Sequence, residues 1–300
     1  MSIATTSKPA ASREHTPPKK RGQWGEVWKR LKRNKMAIFG LGIFAILVFL
    51  AVFADFIAPY GYDDQDPVNR AFLVPCAAFP FGTDNLGRCI LSRVIYGARI
   101  SLQVGIIAVG ISAVLGGIIG SIAGFYGNRT DNILMRLMDV LLAIPGILLA
   151  ITISATLGPG LTNAMIAVGI SGTPAFARVV RASVLSVRGN EYIEAARAIN
   201  ASDLRIITRH ILPNIMAPVI VQATLNIATA IMTAASLSFL GVGVQPPIPE
   251  WGAMLSQARG FLRDYPHTVI FPAFAILLTV FAINLLGDGL RDALDPRLKK

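Results

Sequence analysis

Charge is what this sequence has least of. Only 15% of its 300 residues are Asp, Glu, Lys or Arg, against about a quarter in an ordinary soluble domain. With 53% apolar residues and a positive mean hydropathy, that scarcity argues against a water-soluble domain and for a chain that lives in a bilayer. Histidine is scarce too: His15, His210 and His267 are scattered over a tail and two loops, so no metal-ligand spacing arises and no metal site is expected. No glycine is followed by lysine, so the phosphate-cradling loop G-x-x-x-x-G-K-[ST] is missing and any ATP must be used by a partner. The H-E-x-x-H and G-x-S-x-G motifs are absent as well, which leaves no catalytic constellation and no bound cofactor to argue for. Cysteine is limited to Cys76 and Cys89. A disulfide between them is permitted if their loop lies outside the cytoplasm, and would contribute on the order of 3 kcal/mol; two unpaired thiols are the alternative.

What the chain does have is long apolar runs, such as Met36 to Phe53 and Val269 to Leu286, of the length a helix needs to cross hydrocarbon. Backbone groups there must bond internally, so an all-α integral membrane fold follows. Six spans are expected, near 36–57, 100–126, 133–157, 162–181, 214–240 and 269–287. The formal charge of +11 reads as topology. With the N-terminus inside, 22 of the 28 Lys and Arg residues fall on cytoplasmic segments, so the positive-inside rule puts both termini in the cytoplasm.

The organisation expected is a disordered basic tail over 1–22, an interfacial helix over 23–35, the first span with a long external loop over 36–99, and a transmembrane core over 100–300. The tail lacks the apolar content that ordering requires. Trp24, Val27, Trp28 and Leu31 then recur at helical spacing beside Lys29, Arg30, Lys32 and Arg33, as in a helix lying on the membrane and contacting anionic lipid. The first span is too long, and preceded by too much polar sequence, to be a signal peptide.

Within the spans, Gly116, Gly120 and Gly124 stand four apart, two successive G-x-x-x-G steps that let another helix approach closely. Gln222, Asn226, Thr229, Thr233 and Ser236 follow steps of four, three, four and three and so share one helical face. Such groups either bond to neighbouring helices or face a wet passage. A passage without charges in this stripe would suit varied, zwitterionic solutes. Pro218, at the start of the same helix, is placed to kink it. Arg136 and Asp139, three apart on the third span, are spaced to pair as a structural contact.

The segment from Asn190 to Asn214, NEYIEAARAINASDLRIITRHILPN, is polar and highly organised. Its first half reads as a helix with Glu191 and Glu194 near the N-terminus and Ile193, Ala196 and Ile199 on one face. A turn follows at Asn200. The second half restarts at Ser202 and Asp203, ends at Arg209 and His210 before Pro213, and carries Leu204, Ile207 and Ile211 on its apolar face. Two short amphipathic helices at a membrane surface make a docking knob; a structured loop is the plainer alternative.

EAARAINASDLRIITRHILP resembles the EAA loop of permease subunits of ATP-binding-cassette importers. FGTDNLGR (81–88), SFLGVGVQPPIPEWGAML (238–255) and NLLGDGLRDALDPR (284–297) are similar to further motifs of the peptide and nickel subgroup, and the chain most resembles dipeptide permease C-type subunits from about residue 30 onward. The resemblance implies a coupling-helix pair at 188–213, between the fourth and fifth spans, that sits in a cleft of a cytoplasmic ATPase. Glu194, Ala195, Ala196, Leu212 and Pro213 match the family's pattern, while Asn200 stands where the family usually has Gly and Cys89 where it usually has Asp. The implied partners are a second homologous permease, two ATP-binding subunits carrying ATP and Mg, an external solute-binding protein and lipid, in the inner membrane of a prokaryote. The implied solutes are dipeptides or short oligopeptides, with glutathione-like peptides or chelated nickel as alternatives. A membrane-embedded enzyme would need convergent titratable groups, of which only Arg136 and Asp139 are seen. A nucleic-acid-binding helix-turn-helix at 190–212 would be tethered by two spans, so no nucleic acid partner is expected.

Overall fold

The computed structural model describes residues 23–294. The expected tail over 1–22, the Trp24 side chain and Arg297 lie outside the described residues. Among the described residues the chain is helical, with no strand beyond a single bridge between Thr83 and Cys89.

A surface helix, α1 (Gln23–Leu31), leads through Asn34 into α2 (Lys35–Val52) and a single turn, α3 (Ala54–Ile57). Asn34 starts α2 by accepting from the amides of Met36 and Ala37 at 3.1 and 3.2 Å, a cap worth about 1 kcal/mol. A long loop precedes α4 (Ile90–Tyr126), which is followed by α5 (Asn128–Ala143), α6 (Gly146–Leu157) and α7 (Leu161–Val187). The knob comprises α8 (Glu191–Ala198) and α9 (Asp203–Ile206) and passes through a π-turn, Ile207–Ile211, into α10 (Leu212–Phe239). A short α11 (Trp251–Ala258) and the final α12 (His267–Leu294) complete the chain.

Five helical runs are long and apolar enough to cross a membrane: α2, α4, α7, the continuous run from Asp203 to Phe239, and α12. The expected span at 133–157 is not one straight helix. It is α5 and α6 joined at an angle of 90°. Pro145 is the cause: it pushes Ile144 into extended geometry (φ −86°, ψ 127°) and cannot itself continue the helical ladder. The remaining spans exist at shifted bounds, among them the early start of α4 at Ile90 and the late ends of α12 at Leu294 and α7 at Val187.

The glycine seam is used as its spacing predicts. A Cβ on Gly116 would stand 2.6 Å from Cβ of Phe176, and one on Gly124 would stand 2.8 Å from Cβ of Val184. Gly116, Gly120 and Gly124 therefore bring α4 against α7 along just over two turns, with Phe176, Val180 and Val184 fully buried. That contact organises the larger core, which also takes in Ile193, Ile206 and Ile211 of the knob. A second core joins α2, α4, α10 and α12 around Trp251. Val27 and Leu31 of α1 pack with Ala37, Leu286 and Ala293, while Trp28 stays half exposed under Lys32, so α1 is tied to α12 by one edge.

Asp84 gathers the loop before α4. It accepts from the amides of Leu86 and Arg88 and from Nε of Arg88 at 2.7 Å, and Arg88 donates onward to Gln257 of α11 at 2.7 Å. Arg88 and Arg93 are both 1% exposed. Cys76 and Cys89 are not bridged: Cys76 is exposed, whereas Cys89 is buried at the start of α4. The disulfide alternative is thus set aside in this fold.

Candidate functional site: coupling knob and translocation face

The knob is built from a helix that the sequence stops on purpose. The amide of Ala201 donates to the Ala196 carbonyl at 3.1 Å and that of Asn200 to the Arg197 carbonyl at 2.9 Å, the paired bonds that close a helix C-terminus when the residue between is left-handed. Asn200 is that residue, at φ 55°, and Asn is among the few side chains that tolerate this conformation. Ser202 then occupies the N-cap position of α9, although its hydroxyl makes no capping bond.

Ile193 and Ala196 are buried against the membrane core, while Glu194 and Ala195 face outward. Two expected members of the buried faces lie elsewhere. Ile199 is 81% exposed because α8 ends one residue before it, and Leu204 is 71% exposed with Ile206 buried in its place. The π-turn explains the second shift. Ile206 and Ile211, both fully buried, are five apart, a spacing that a 3.6-residue period separates but an i→i+5 turn aligns. The amide of Leu212 bonds to the Ile207 carbonyl in that wider pattern, next to Pro213, which has no amide to donate. The second knob helix therefore does not end at His210 as expected but runs on into α10. Leu212 is half-buried and Pro213 exposed.

Among the described residues the stripe on α10 makes its side-chain hydrogen bonds only within its own helix. Gln222 donates to Asn226 at 3.0 Å, Thr233 to the Thr229 carbonyl at 2.9 Å and Ser236 to the Met232 carbonyl at 2.8 Å, all within α10, and Thr229 is exposed. None of these side chains hydrogen-bonds to another helix among the described residues. Gln222 and Pro218 line an open cleft of about 570 Å³ together with Val179 and Ser186 of α7, Asn214, and Arg291 of α12.

Arg136 and Asp139 do not pair as expected. Asp139 takes Arg178 of α7 at 2.6 Å, and Asp131 takes Arg181 in a two-pronged contact with one arm at 2.6 Å. Cross-helix partners win because α5 lies along α7, where a guanidinium reaches each carboxylate directly. Arg178 was missed because it counts among the cytoplasmic cations when α7 is taken to end near 181; the helix continues to Val187.

Residues 116–300 match the family of binding-protein-dependent transport system inner membrane components, and residues 22–75 match the N-terminal transmembrane domain of oligopeptide transport permease C. The chain belongs to the first of these families. It is similar to the dipeptide transport system permease protein DppC of Alkalihalophilus pseudofirmus, 51% identical over 92% of this chain and 90% of that one. It is also similar to the glutathione transport system permease protein GsiD of Escherichia coli, 50% identical over 94% of this chain and 93% of that one. The fold is shared with a solved structure of the MetNI methionine ABC transporter, with a TM-score of 0.56 at 19% identity over 69% of this chain and 98% of that one. This permease is thus a multi-pass membrane subunit of an ATP-binding-cassette importer. The outward side of its α8–α9 turn, which carries Glu194, Ile199 and Leu204, is the surface that its membrane-embedded elements leave free.

Proposed function

We propose that this permease imports dipeptides or short oligopeptides. It would pair with a second, homologous permease in a prokaryotic inner membrane, with both termini cytoplasmic, and take its solute from an external solute-binding protein. Two cytoplasmic ATP-binding subunits, which hold the ATP and Mg, seat on the knob. The observation that carries this reading is the knob itself: a helix pair closed by a left-handed Asn200, anchored by Ile193, Ala196, Ile206 and Ile211, with apolar Ile199 and Leu204 held out in front. Exposed apolar side chains on so rigid a support suit a protein partner.

The mechanism follows from connectivity. The knob joins the end of α7 to the start of α10, so a force on α8 and α9 is delivered to both. Closure of the ATP-binding subunits on ATP moves the knob, α7 and α10 follow, and the passage turns outward to accept solute. This chain performs no covalent step.

The names of the two relatives support a peptide as the solute. A glutathione-like peptide is the second reading, favoured by one name and by Arg136 on α5, exposed and in no ion pair among the described residues. Gentle purification from native membrane, with mass spectrometry of what remains bound, tests the assembly. Recovery of a cassette ATPase and a second permease is expected; recovery of this chain alone in several detergents would overturn the reading. Uptake assays with the co-recovered binding protein then separate dipeptide from glutathione.

A further inference from the structure

Arg178 and Asp139 form an ion pair in an unusual place. Arg178 lies nine residues inside the cytoplasmic end of α7, about 14 Å along its axis, and Asp139 lies eleven residues along α5, about 16 Å from its start. Their side chains are 2.6 Å apart yet 55% and 46% exposed. A half-exposed ion pair on α7, a helix long and apolar enough to cross a membrane, is poorly tolerated by acyl chains and marks a face that meets water or a pathway.

The surroundings agree. Ala175, Arg178, Ala182 and Ser186 follow one another by three, four and four and are all exposed, so α7 presents a face of small residues on which Arg178 is the sole charge. Ser186, at the end of that face, lines the same cleft as Gln222, which begins the polar stripe of α10. Arg136, one turn from Asp139 on α5, is exposed and in no ion pair among the described residues. The face therefore carries two cations and one carboxylate.

We infer that the Asp139–Arg178 pair is a transit contact in the translocation passage that exchanges its mutual bond for the charged ends of a passing peptide. The inference rests on the peptide-importer reading. The planar guanidinium of Arg178 matches a carboxylate in a two-pronged bond, and Asp139 accepts from an ammonium group. Because the two side chains satisfy each other when the passage is empty, the solute gains only the difference between the two sets of bonds. Weak holding of that kind is what passage requires, since a deep site would trap the solute. The surplus positive charge of Arg136 favours peptides of zero or negative net charge over cationic ones.

The complete importer, reconstituted in proteoliposomes with its ATP-binding subunits and binding protein, tests this with alanyl-alanine and glutathione as probes. The double variant Asp139→Asn with Arg178→Gln keeps polar groups that can still tie α5 to α7 but removes both charges. Peptide imported per ATP hydrolysed should fall at least tenfold; a ratio equal to wild type would overturn the transit role and leave only a structural tie. If the double variant fails to assemble, Ala182→Asp carries the test, since it places a carboxylate one turn from Arg178 on the exposed face. Glutathione import should then slow at least tenfold relative to alanyl-alanine, and equal rates for the two would overturn the inference. Wild-type importer that assembles and hydrolyses ATP but moves neither peptide would instead sink the peptide reading, and this contact with it.

Discussion

Asn200 hands its amide to the Arg197 carbonyl at 2.9 Å while its own backbone sits at φ 55°. The knob thus depends on one residue accepting a left-handed conformation, which costs a side-chain-bearing residue about 1–2 kcal/mol. Asn200→Gly should relieve that cost, raise the unfolding midpoint slightly and keep ATP hydrolysis coupled to uptake. Asn200→Val, whose branched side chain resists φ > 0 most strongly, should break the turn and lower coupling. Measuring ATP hydrolysed per solute imported for both variants checks this; equal coupling in the two would show that the turn is not needed.

The exposed side of the same knob makes a different demand. Glu194 is exposed and Leu204 is 71% exposed, so neither supports the fold of this chain, and their substitution should act on the partner interface alone. Glu194→Lys and Leu204→Ser are expected to leave membrane insertion intact while lowering co-purification of the ATP-binding subunits or uncoupling hydrolysis from uptake. Unchanged transport in both would remove this surface from the coupling path.

The α4–α7 seam has a built-in control. A Cβ on Gly120 would meet the Ala177 carbonyl, Cβ of Val180 at 2.8 Å and the Arg181 amide at 2.9 Å, whereas one on Gly117 would meet nothing within 4 Å. Overpacking of this kind costs about 1–3 kcal/mol, so Gly120→Ala should lower the unfolding midpoint in detergent by several degrees. Gly117→Ala should leave it unchanged. Thermal unfolding of the two proteins side by side decides the matter, and equal midpoints would mean the helices can slide apart to make room.

The elements legible in the sequence are those whose signal is local. Gly116, Gly120 and Gly124 announce their seam by spacing alone, and the turn at Asn200 was read from the helix patterns on either side. The 90° break at Pro145 had a signal, a proline followed by glycine inside an apolar run, but hydropathy averaged over the window hid it. The partner of Asp139 had none: a choice between Arg136 on the same helix and Arg178 on another depends on how α5 lies against α7. Leu204 was placed wrongly because a single 3.6-residue period was carried through a segment that contains a π-turn, and no composition rule marks that turn except Pro213 just beyond it.

Glu250 gives a pH dependence at the start of α11. It caps α11 by accepting from the amides of Gly252 and Ala253 at 3.0 and 2.8 Å, yet it is 1% exposed. Burial raises its pKa above the usual 4.5, against the lowering effect of the two amides and of Ser238. A folded pKa above the unfolded one means that the folded state holds the proton more tightly. The resulting stability is fully present below the unfolded pKa and is lost as pH rises through the folded one. Wild type should therefore gain on Glu250→Gln, which does not titrate, as the pH is lowered from neutral towards the usual 4.5. A stability gap that stays constant over that window would show that Glu250 does not titrate in it.

Cys89 occupies the N-cap position of α4 at φ −66°, ψ 116°, and makes no capping bond. That backbone geometry is the one in which Asp accepts from the amides of the first helical turn, and a thiol cannot do this well. Arg93, four residues on, is 1% exposed and has one guanidinium nitrogen, Nη2, without a partner. A carboxylate at position 89 would thus serve the first turn of α4 and add negative charge beside a buried, incompletely satisfied cation. Cys89→Asp is expected to stabilise the fold by about 1–2 kcal/mol, seen as a higher unfolding midpoint and slower amide exchange at the start of α4. Cys89→Ser offers a weaker cap and no charge and should fall between the two. If Cys89→Asp instead lowered the midpoint, the cost of burying the carboxylate would exceed the cap and the attraction to Arg93 together, and the thiol would be the better fit to this closed corner.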